Sequence, residues 1–222
     1  MKSRWKVNPA GRLVGLWVGV AFLAATGQFP CAAQESPRPS PAEPPSERPQ
    51  ETRLVIADFD GPDASVNGGW TFGVWEKDIL DTSQSCRLAL MDEGAPGAAK
   101  YFARLSYDVD SLNPAYNGLW VKLNAVPLAR FKTLSVAIRG DASQGFTTRI
   151  KLELKDDAHH RASCVLDEIS DTWVHRRIPL SAFSGIEQLE HANEFVIVFD
   201  DMTVTKKVGV IDIDEVALEP TP

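Results

Sequence analysis

Carboxylates near the two ends of the folded part of the chain have the residue types of a metal site. Asp58 and Asp60 lie near its start, and Asp212, Asp214 and Glu215 lie near its end. If the first and last strands pair, these carboxylates converge, and their repulsion demands a cation. Ca²⁺, which takes about six to eight oxygen ligands, suits such residues better than Zn²⁺ does. These residues admit two interpretations: calcium held by a set such as Asp58, Asp60 and Asp214, or acids that point separately into water.

An aromatic residue among charged ones marks a second candidate site. Trp120 and Lys122 alternate with apolar residues and so share the polar face of a predicted strand. If neighbouring strands flank this one, their polar faces add further candidates for ligand binding: Arg104, Asp108 and Arg139, with His175 at the border. An aromatic surface ringed by hydrogen-bonding groups suits a polar, ring-shaped ligand. The alternative is a single exposed Trp on an ordinary charged sheet.

The sequence contains few groups of residues that could form a catalytic site. His159 and His160 are adjacent, so in a strand they point to opposite faces and cannot chelate one ion, and a solvated turn is the favoured interpretation. Cys86 and Cys164 allow one disulfide in an oxidising compartment, and two separate buried thiols are equally compatible with the sequence. Without a nucleophile paired with a base, the chain is not expected to be an enzyme.

Short strands must position these residues. The alternation of apolar and polar residues is strongest in three segments between positions 101 and 139. It recurs at 54–59, 149–155, 173–180, 194–200 and 208–218. The one candidate helix, at 184–192, is short and interrupted by Gly185. Many short strands without long helices predict an all-β fold, an antiparallel β-sandwich or jelly roll.

The N-terminal 52 residues of the sequence differ from the rest. Residues 1–33 run from a basic stretch through an apolar run to small residues, which predicts a secretory signal peptide and export to a periplasmic or extracellular location. Cys31 is a less favoured alternative as a lipidation site. Residues 34–52 contain six prolines and almost nothing apolar, which is typical of a disordered linker. The folded domain is expected over 53–220, with no later segment long enough to span a membrane.

The charge balance limits the classes of partner. The net charge is −7, and the first 33 residues hold four basic and no acidic side chains, so the mature chain is more acidic still. Bulk charge of this sign repels phosphate backbones and anionic lipid headgroups. Nucleic-acid binding is therefore not expected.

Four segments together carry a resemblance to a known family. They are LVIADFDG (54–61), SVAIRGD (135–141), TWVHRRIPLSAF (172–183) and VIDIDEVAL (210–218). In this order the four segments resemble those of galactose-binding-like β-jelly-roll modules, especially family 11 carbohydrate-binding modules. The resemblance covers residues 54–218. The segment from Trp173 to Phe183 is also similar to the domain of complex I intermediate-associated protein 30.

The resemblance implies a fold, a ligand class and a metal. In such modules the residues matching Trp173 and Phe183 pack in the core, and the acids matching Asp60 and Asp214 resemble a structural calcium site. We therefore expect an exported, non-catalytic module that binds poly- or oligosaccharide on a concave sheet face, with Trp120 as the stacking residue and Trp70 and Trp75 in reserve. The alternative is a protein-interaction module that assists assembly of an envelope or secreted complex.

Overall fold

Strands form most of the regular structure in residues 52–60, 71–97 and 99–220, which are the residues that the computed structural model describes. The predicted signal peptide and all but the last residue of the predicted linker lie outside them, as does Trp70. In chain order the strands are β1 (Leu54–Ala57), β2 (Phe72–Glu76), β3 (Ser85–Met91), β4 (Phe102–Asp108), β5 (Tyr116–Pro127), β6 (Thr133–Gly140), β7 (Ile150–Lys155), β8 (Arg161–Leu166), β9 (Val174–Pro179), β10 (His191–Asp200) and β11 (Val208–Glu219).

The strands form two antiparallel sheets, which confirms the predicted β-sandwich. Sheet I has the order β3-β4-β11-β6-β9, and β1 also pairs with β11. Sheet II has the order β2-β5-β10-β7-β8. The pairing of β1 with β11 brings the first and last strands together, which is the condition on which the predicted calcium site depends.

Apolar side chains from the facing sides of the two sheets form the core. The alternation predicted for β4 and β5 holds, because Leu105 and Tyr107 are buried beneath sheet I and Leu119 and Val121 beneath sheet II. Between the sheets the Tyr107 ring stacks on Phe199 with centroids 4.1 Å apart. Asn117 links the two sheets. Its Nδ2 donates to the carbonyl oxygens of Ser85 at 2.9 Å and Asp108 at 2.7 Å.

Three strands and one helix differ from the sequence predictions. Strands β2, β3 and β8 were not predicted as strands, because each is short and lacks a run of strict alternation. The candidate helix is only a 3₁₀ turn at Ile186–Gln188, and β10 begins at His191. The other two 3₁₀ turns among the described residues are Leu128–Arg130 and Leu180–Ala182. The described residues contain no helix of the length and apolarity that crossing a bilayer takes.

Candidate functional site

A groove crosses the outer face of sheet II. Three depressions of about 820, 590 and 190 Å³ open on this face, and the side chain of Lys155 borders all three. They therefore adjoin one another, and we call them together the sheet II groove. Its aromatic side chains are Trp75, Tyr116 and Trp120.

Two matching Gly-x-Trp segments build the aromatic floor of the groove. One is Gly73-Val74-Trp75 in β2, and the other is Gly118-Leu119-Trp120 in β5. Because β2 and β5 are antiparallel, Gly73 lies opposite Trp120, and Trp75 lies opposite Gly118. Each indole thus has a glycine as its cross-strand neighbour, and the missing side chains leave room for both rings on the sheet surface.

Contacts of the three aromatic rings fix their positions. A Cβ atom built on Gly73 would lie 2.9 Å from Cζ2 of Trp120, so the indole packs directly on the backbone of β2. The Nζ atom of Lys122 lies 5.7 Å from the centroid of the same ring, a favourable cation–π distance. Trp75 meets Tyr116 edge-on, with centroids 5.6 Å apart. Trp75 and Trp120 are half-buried, so each keeps part of its ring toward the groove.

Alternating charges line the side of the groove next to Trp120. Glu194 of β10 accepts a hydrogen bond from Lys122 at 3.0 Å, and Lys155 of β7 lies 3.9 Å from its other carboxylate oxygen. Glu153 of β7 lies 3.4 Å from both Lys155 and Arg161. The five side chains form a ladder across four strands, in the order Lys122, Glu194, Lys155, Glu153, Arg161.

A turn borders the opposite side of the groove. Asp200, at the end of β10, accepts hydrogen bonds from the backbone N–H groups of Met202 at 3.1 Å and Thr203 at 2.8 Å. It also forms an ion pair with Lys151 at 2.6 Å. Although burial opposes the charged form, these donors and the lysine lower the pKa of Asp200. Asp200 therefore holds the turn and presents the exposed Met202 at the rim of the groove.

The predicted group of ligand-binding residues is divided between the two sheets, which corrects the expectation of one surface around Trp120. Trp120 and Lys122 lie on the outer face of sheet II. Arg104, Asp108, Arg139 and His175 belong to strands of sheet I. The sequence alternation could not reveal this division, because strands of both sheets in a sandwich alternate between a core face and an outer face.

A buried carboxylate binds Arg104 and Arg139, the two arginines that were expected to bind ligand. β11 lies between β4 and β6, and its Asp212 is fully buried. Arg104 donates to Asp212 through Nε at 2.8 Å and through Nη2 at 3.0 Å, and Arg139 Nε donates at 2.9 Å. Arg104 Nη2 also lies 3.2 Å from Asp141. We call Arg104, Asp212 and Arg139 the buried ion triad.

Trp173 lies on the outside of sheet I, so its expected place in the core between the sheets is wrong. Its indole packs edge-on against Phe102 at 5.4 Å and lies 4.8 Å below the guanidinium of Arg139. Its Nε1 donates to the carbonyl oxygen of Gly94 at 2.7 Å. The loop that contains Gly94 thus covers this side of sheet I. Phe183, in contrast, is buried in the core as the resemblance implied.

His175 and Asp108 lie apart from the sheet II groove and the buried ion triad, whereas His160 borders the groove. His175 is exposed, with Nδ1 3.5 Å from a carboxylate oxygen of Glu215. Asp108 accepts a hydrogen bond from the N–H of Asp110 in its own turn. His160, on the β7–β8 turn, lies with Nδ1 2.8 Å from Asp156. Neither His175 nor Asp108 borders the sheet II groove.

The two cysteines are free thiols on different sheets. Cys86 lies in β3 of sheet I, and Cys164 lies in β8 at the edge of sheet II. Burial raises the pKa of the Cys86 thiol to about 12, so this group is inert at neutral pH. The disulfide that the even count allowed is absent.

The acids at the chain ends meet where β1 and β11 pair. Asp214 is fully buried, and its Oδ2 has no hydrogen-bond partner among the residues that the structure describes. Burial, together with the negative charges of Glu215, Asp60 and Asp58, raises the pKa of Asp214 to about 7. One oxygen of Asp60 accepts hydrogen bonds from the N–H groups of residues 100 and 101, at 2.7 and 2.8 Å. Within the described ranges, no three His, Cys, Asp or Glu side chains already form a ligating group.

The backbone at these acids is strained. Phe59, between Asp58 and Asp60, has φ = 52°, and Glu215, next to Asp214, has φ = 50°. Residues other than glycine rarely adopt this region of positive φ, and such backbone strain is concentrated at functional sites. The register of β11 also shifts after Asp214, which marks a β-bulge. The strained residues and the bulge lie next to these carboxylates in the chain.

The predicted ligand-binding residues include two that line the groove, Trp120 and Lys122, and omit most of the others. Trp75 was only a reserve candidate, and Tyr116, Glu153, Arg161 and Glu194 were not singled out. One signal was available. The spacing Gly-x-Trp occurs at 15–17, 68–70, 73–75 and 118–120, and the segments at 73–75 and 118–120 pair as antiparallel neighbours in register.

Comparisons with known proteins establish the fold. No family model matches the sequence, and no curated protein does. Among solved structures, the chain is similar to the family 11 carbohydrate-binding module of the cellulosomal cellulase Lic26A-Cel5E of Clostridium thermocellum, with a TM-score of 0.56 at 14% identity, over 77% of this chain and 95% of that one.

Two further structures show the same likeness. A family 11 module from Clostridium thermocellum in complex with a β-1,3-1,4-mixed-linked tetrasaccharide matches with a TM-score of 0.56 at 16% identity, over 76% of this chain and 96% of that one. An exo-β-agarase matches with a TM-score of 0.53 at 11% identity, over 76% of this chain and 25% of that one. The chain therefore has the β-sandwich fold of carbohydrate-binding modules.

Proposed function

We propose that the protein is an exported, non-catalytic carbohydrate-binding module whose sheet II groove binds a poly- or oligosaccharide chain. The observation that carries this proposal is the pair of indoles, Trp75 and Trp120, each of which has a glycine as its cross-strand neighbour. A sugar ring offers an apolar face of C–H groups to an indole and hydroxyl groups to polar neighbours. The groove supplies both kinds of contact on one open face.

Support for this ligand class comes from the fold. Family 11 modules share the sandwich, and one of the similar structures was determined with a mixed-linked tetrasaccharide. The alternative, a protein-interaction module of the complex I intermediate-associated protein 30 type, gains no support from these structures. Arg104 and Arg139 are not part of the proposed binding surface, because they lie in sheet I and donate to Asp212 of the buried ion triad.

The screen for this function is native affinity electrophoresis of residues 34–222 in gels that contain one polysaccharide each. We expect slower migration in at least one gel among mixed-linkage β-glucan, agarose, xylan, pectin and alginate. Reducing-end assays on the same polymers are expected to show no hydrolysis. Unchanged migration in every gel contradicts the proposed function, and released reducing ends contradict a non-catalytic role.

Export is part of the same proposal. It is supported by the order of basic, apolar and small residues at positions 1–33. Mass spectrometry of the protein recovered from outside the cytoplasm is expected to give an N-terminus near Gln34. A retained Met1, or a lipid on Cys31, contradicts soluble export.

We also propose that Asp58, Asp60 and Asp214 hold a structural Ca²⁺. The fully buried Oδ2 of Asp214 and the crowding of negative charge around it support this proposal. A bound cation would keep these carboxylates ionised together and would join the start of the domain to β11.

The calcium proposal predicts a pH dependence of stability with a definite sign. In chelator, Asp214 is protonated in the folded state up to a pKa of about 7 and ionised in the unfolded chain above about 4. The free energy of unfolding should therefore fall as pH rises through this window. At pH 8, excess Ca²⁺ is expected to raise the melting temperature by roughly 5 °C or more, and at pH 5 by much less.

Asp214→Asn tests the assignment, with Asp171→Asn on an exposed turn as the matched control. The first variant should lose both the response to Ca²⁺ and the extra loss of stability between pH 5 and pH 8, whereas the control should keep both. If the wild-type protein has the same melting temperature in Ca²⁺ and in chelator at pH 8, the proposed calcium site is contradicted.

A further inference from the structure

In the charged ladder of the sheet II groove, the acidic side chains are more buried than the basic side chains at its two ends. The carboxylate side chains of Glu153 and Glu194 are only 4% and 19% exposed. The basic side chains at the two ends of the ladder, Lys122 and Arg161, are 57% and 61% exposed. A ligand that approaches this side of the groove therefore meets ammonium and guanidinium groups first.

The acids of the ladder are also already paired. Glu194 lies between Lys122 and Lys155, and Glu153 lies between Lys155 and Arg161. Each carboxylate thus has two cations beside it, whereas Lys122 and Arg161 each have one acid in the ladder. The outer donors of these two bases remain available to an acceptor on a ligand.

Further acids lie at the two edges of the groove. At the β7–β8 turn, Asp156 accepts hydrogen bonds from the backbone N–H of His160 and lies within 2.8 Å of its ring, while Asp157 is exposed. At the far side, Asp200 is bound by Lys151 and by its own turn, and Asp201 follows it. Lys122, Lys155 and Arg161 balance the acids on the side of the groove next to Trp120, and Lys122 is the charged group that contacts the Trp120 ring.

Lys122 also contacts the stacking residue itself. Its Nζ atom lies 5.7 Å from the centroid of the Trp120 ring. A substituent at the edge of a sugar ring stacked on Trp120 therefore comes within reach of this ammonium group. A carboxylate or sulfate group there accepts charge-assisted hydrogen bonds, which are roughly twice as strong as those to a neutral hydroxyl.

We propose that the side of the sheet II groove formed by Lys122, Lys155 and Arg161 binds the anionic substituent of a sugar stacked on Trp120, so that the ligand is an acidic polysaccharide. This inference rests on the proposed carbohydrate-binding function and names the substrate class of the same site. It does not follow from the overall charge, because the chain carries a net charge of −7 and repels polyanions elsewhere. At about 0.15 M salt that repulsion is screened beyond roughly 8 Å, whereas contacts within the groove persist.

The first experiment compares neutral and acidic ligands by isothermal titration at about 0.15 M NaCl. Neutral ligands are mixed-linkage β-glucan and agarose oligosaccharides; oligogalacturonate and oligoalginate carry carboxylates, and sulfated dextran carries sulfate esters. We expect at least about tenfold tighter binding of one acidic class than of the neutral ligands, which identifies the anionic group. Raising the salt to about 0.5 M should weaken acidic binding and leave neutral binding unchanged.

Substitutions then locate the site. Lys122→Gln and Arg161→Gln should each weaken acidic binding about five- to tenfold and neutral binding by a smaller factor, so that the ratio of acidic to neutral affinity falls. Glu194→Gln should strengthen acidic binding, because it frees Lys122 and Lys155 for the ligand. Arg87→Gln, on the exposed outer face of sheet I, removes the same charge from the opposite side and should change neither.

The outcomes separate this inference from the proposed function. Binding of neutral ligands alone overturns the acidic substrate class and leaves the carbohydrate module intact, whereas binding of neither class overturns both. Equal losses in Arg87→Gln and Lys122→Gln would show an effect of bulk charge and overturn the site. Binding of polyglutamate, a polyanion without sugar rings, as tight as that of the acidic oligosaccharides would also overturn the site.

Discussion

Asp212→Ala is expected to destabilise the protein more than any other single substitution we consider. It leaves the guanidinium groups of Arg104 and Arg139, each with a side chain only 22% exposed, without the carboxylate that they share. Removing one partner of a buried ion group costs about 3–5 kcal/mol, because the remaining charges stay desolvated. For a domain of this size we expect the melting temperature to fall by roughly 6 °C or more, measured by calorimetry.

Two further variants establish the cause of that loss. The triple variant Arg104→Met, Asp212→Leu, Arg139→Met removes every charge of the buried ion triad and should recover most of the stability, because apolar replacements of buried ion groups are often neutral. Glu219→Ala removes a half-buried acid from the same strand and serves as the control. A melting temperature of Asp212→Ala within about 2 °C of the wild type would contradict a structural role of the triad.

The same variants separate the two faces of the sandwich. Below its melting temperature, Asp212→Ala should retain polysaccharide as well as the wild-type protein does, because sheet II is unaltered. If Arg104 and Arg139 instead bind the ligand, as the sequence alone suggested, the triple variant loses retention.

Trp120→Ala is expected to have the largest effect on binding. It removes the indole that packs on Gly73 and faces the groove, and truncation of such an aromatic contact typically costs about 2 kcal/mol, or about thirtyfold in affinity. The ring is half-buried, so the free energy of unfolding should fall by only about 1 kcal/mol, against about 3–5 kcal/mol for a core Trp. Native affinity electrophoresis and calorimetry measure the two quantities.

Two variants control the interpretation of Trp120→Ala. Trp173→Ala removes an indole from the outer face of sheet I, where it contacts Phe102 and Gly94, and should lower stability while retention persists. Gly73→Ala keeps Trp120 and adds a methyl group that must displace its ring, since the new Cβ would lie 2.9 Å from Cζ2. We expect an intermediate loss of retention. Retention by Trp120→Ala equal to that of the wild type would remove this residue from the site.

The sequence was sufficient for the fold class because alternation is a local property. Strands β4 and β5 have a period of two that gives the core face correctly, as the burial of Leu105 and Leu119 confirms. β8 has only six residues, and its sequence RASCVL shows no such period. Strands of that kind are stabilised by pairing with a neighbour, in this case β7, which sequence periodicity does not describe.

The candidate site could be predicted only in part, because its composition depends on which strands are neighbours. Arg104 and Trp120 both lie on outward faces, as predicted, but on opposite sides of the sandwich. The insertion of β11 between β4 and β6 is a long-range pairing that local alternation does not specify. The charge of Asp60 raises the pKa of Asp214 where β1 pairs with β11, a pairing on which the sequence prediction of this site depends.

The most direct test of a carbohydrate site in the sheet II groove is the response of the tryptophan indole N–H signals to ligand. In a ¹⁵N NMR titration with the oligosaccharide that the screen identifies, we expect the indole signals of Trp75 and Trp120, assigned by substitution, to shift and saturate together. The Trp173 signal, held by the carbonyl of Gly94 on the opposite face, should not move. Saturable shifts of Trp173 alone, or of neither groove indole, would contradict the account.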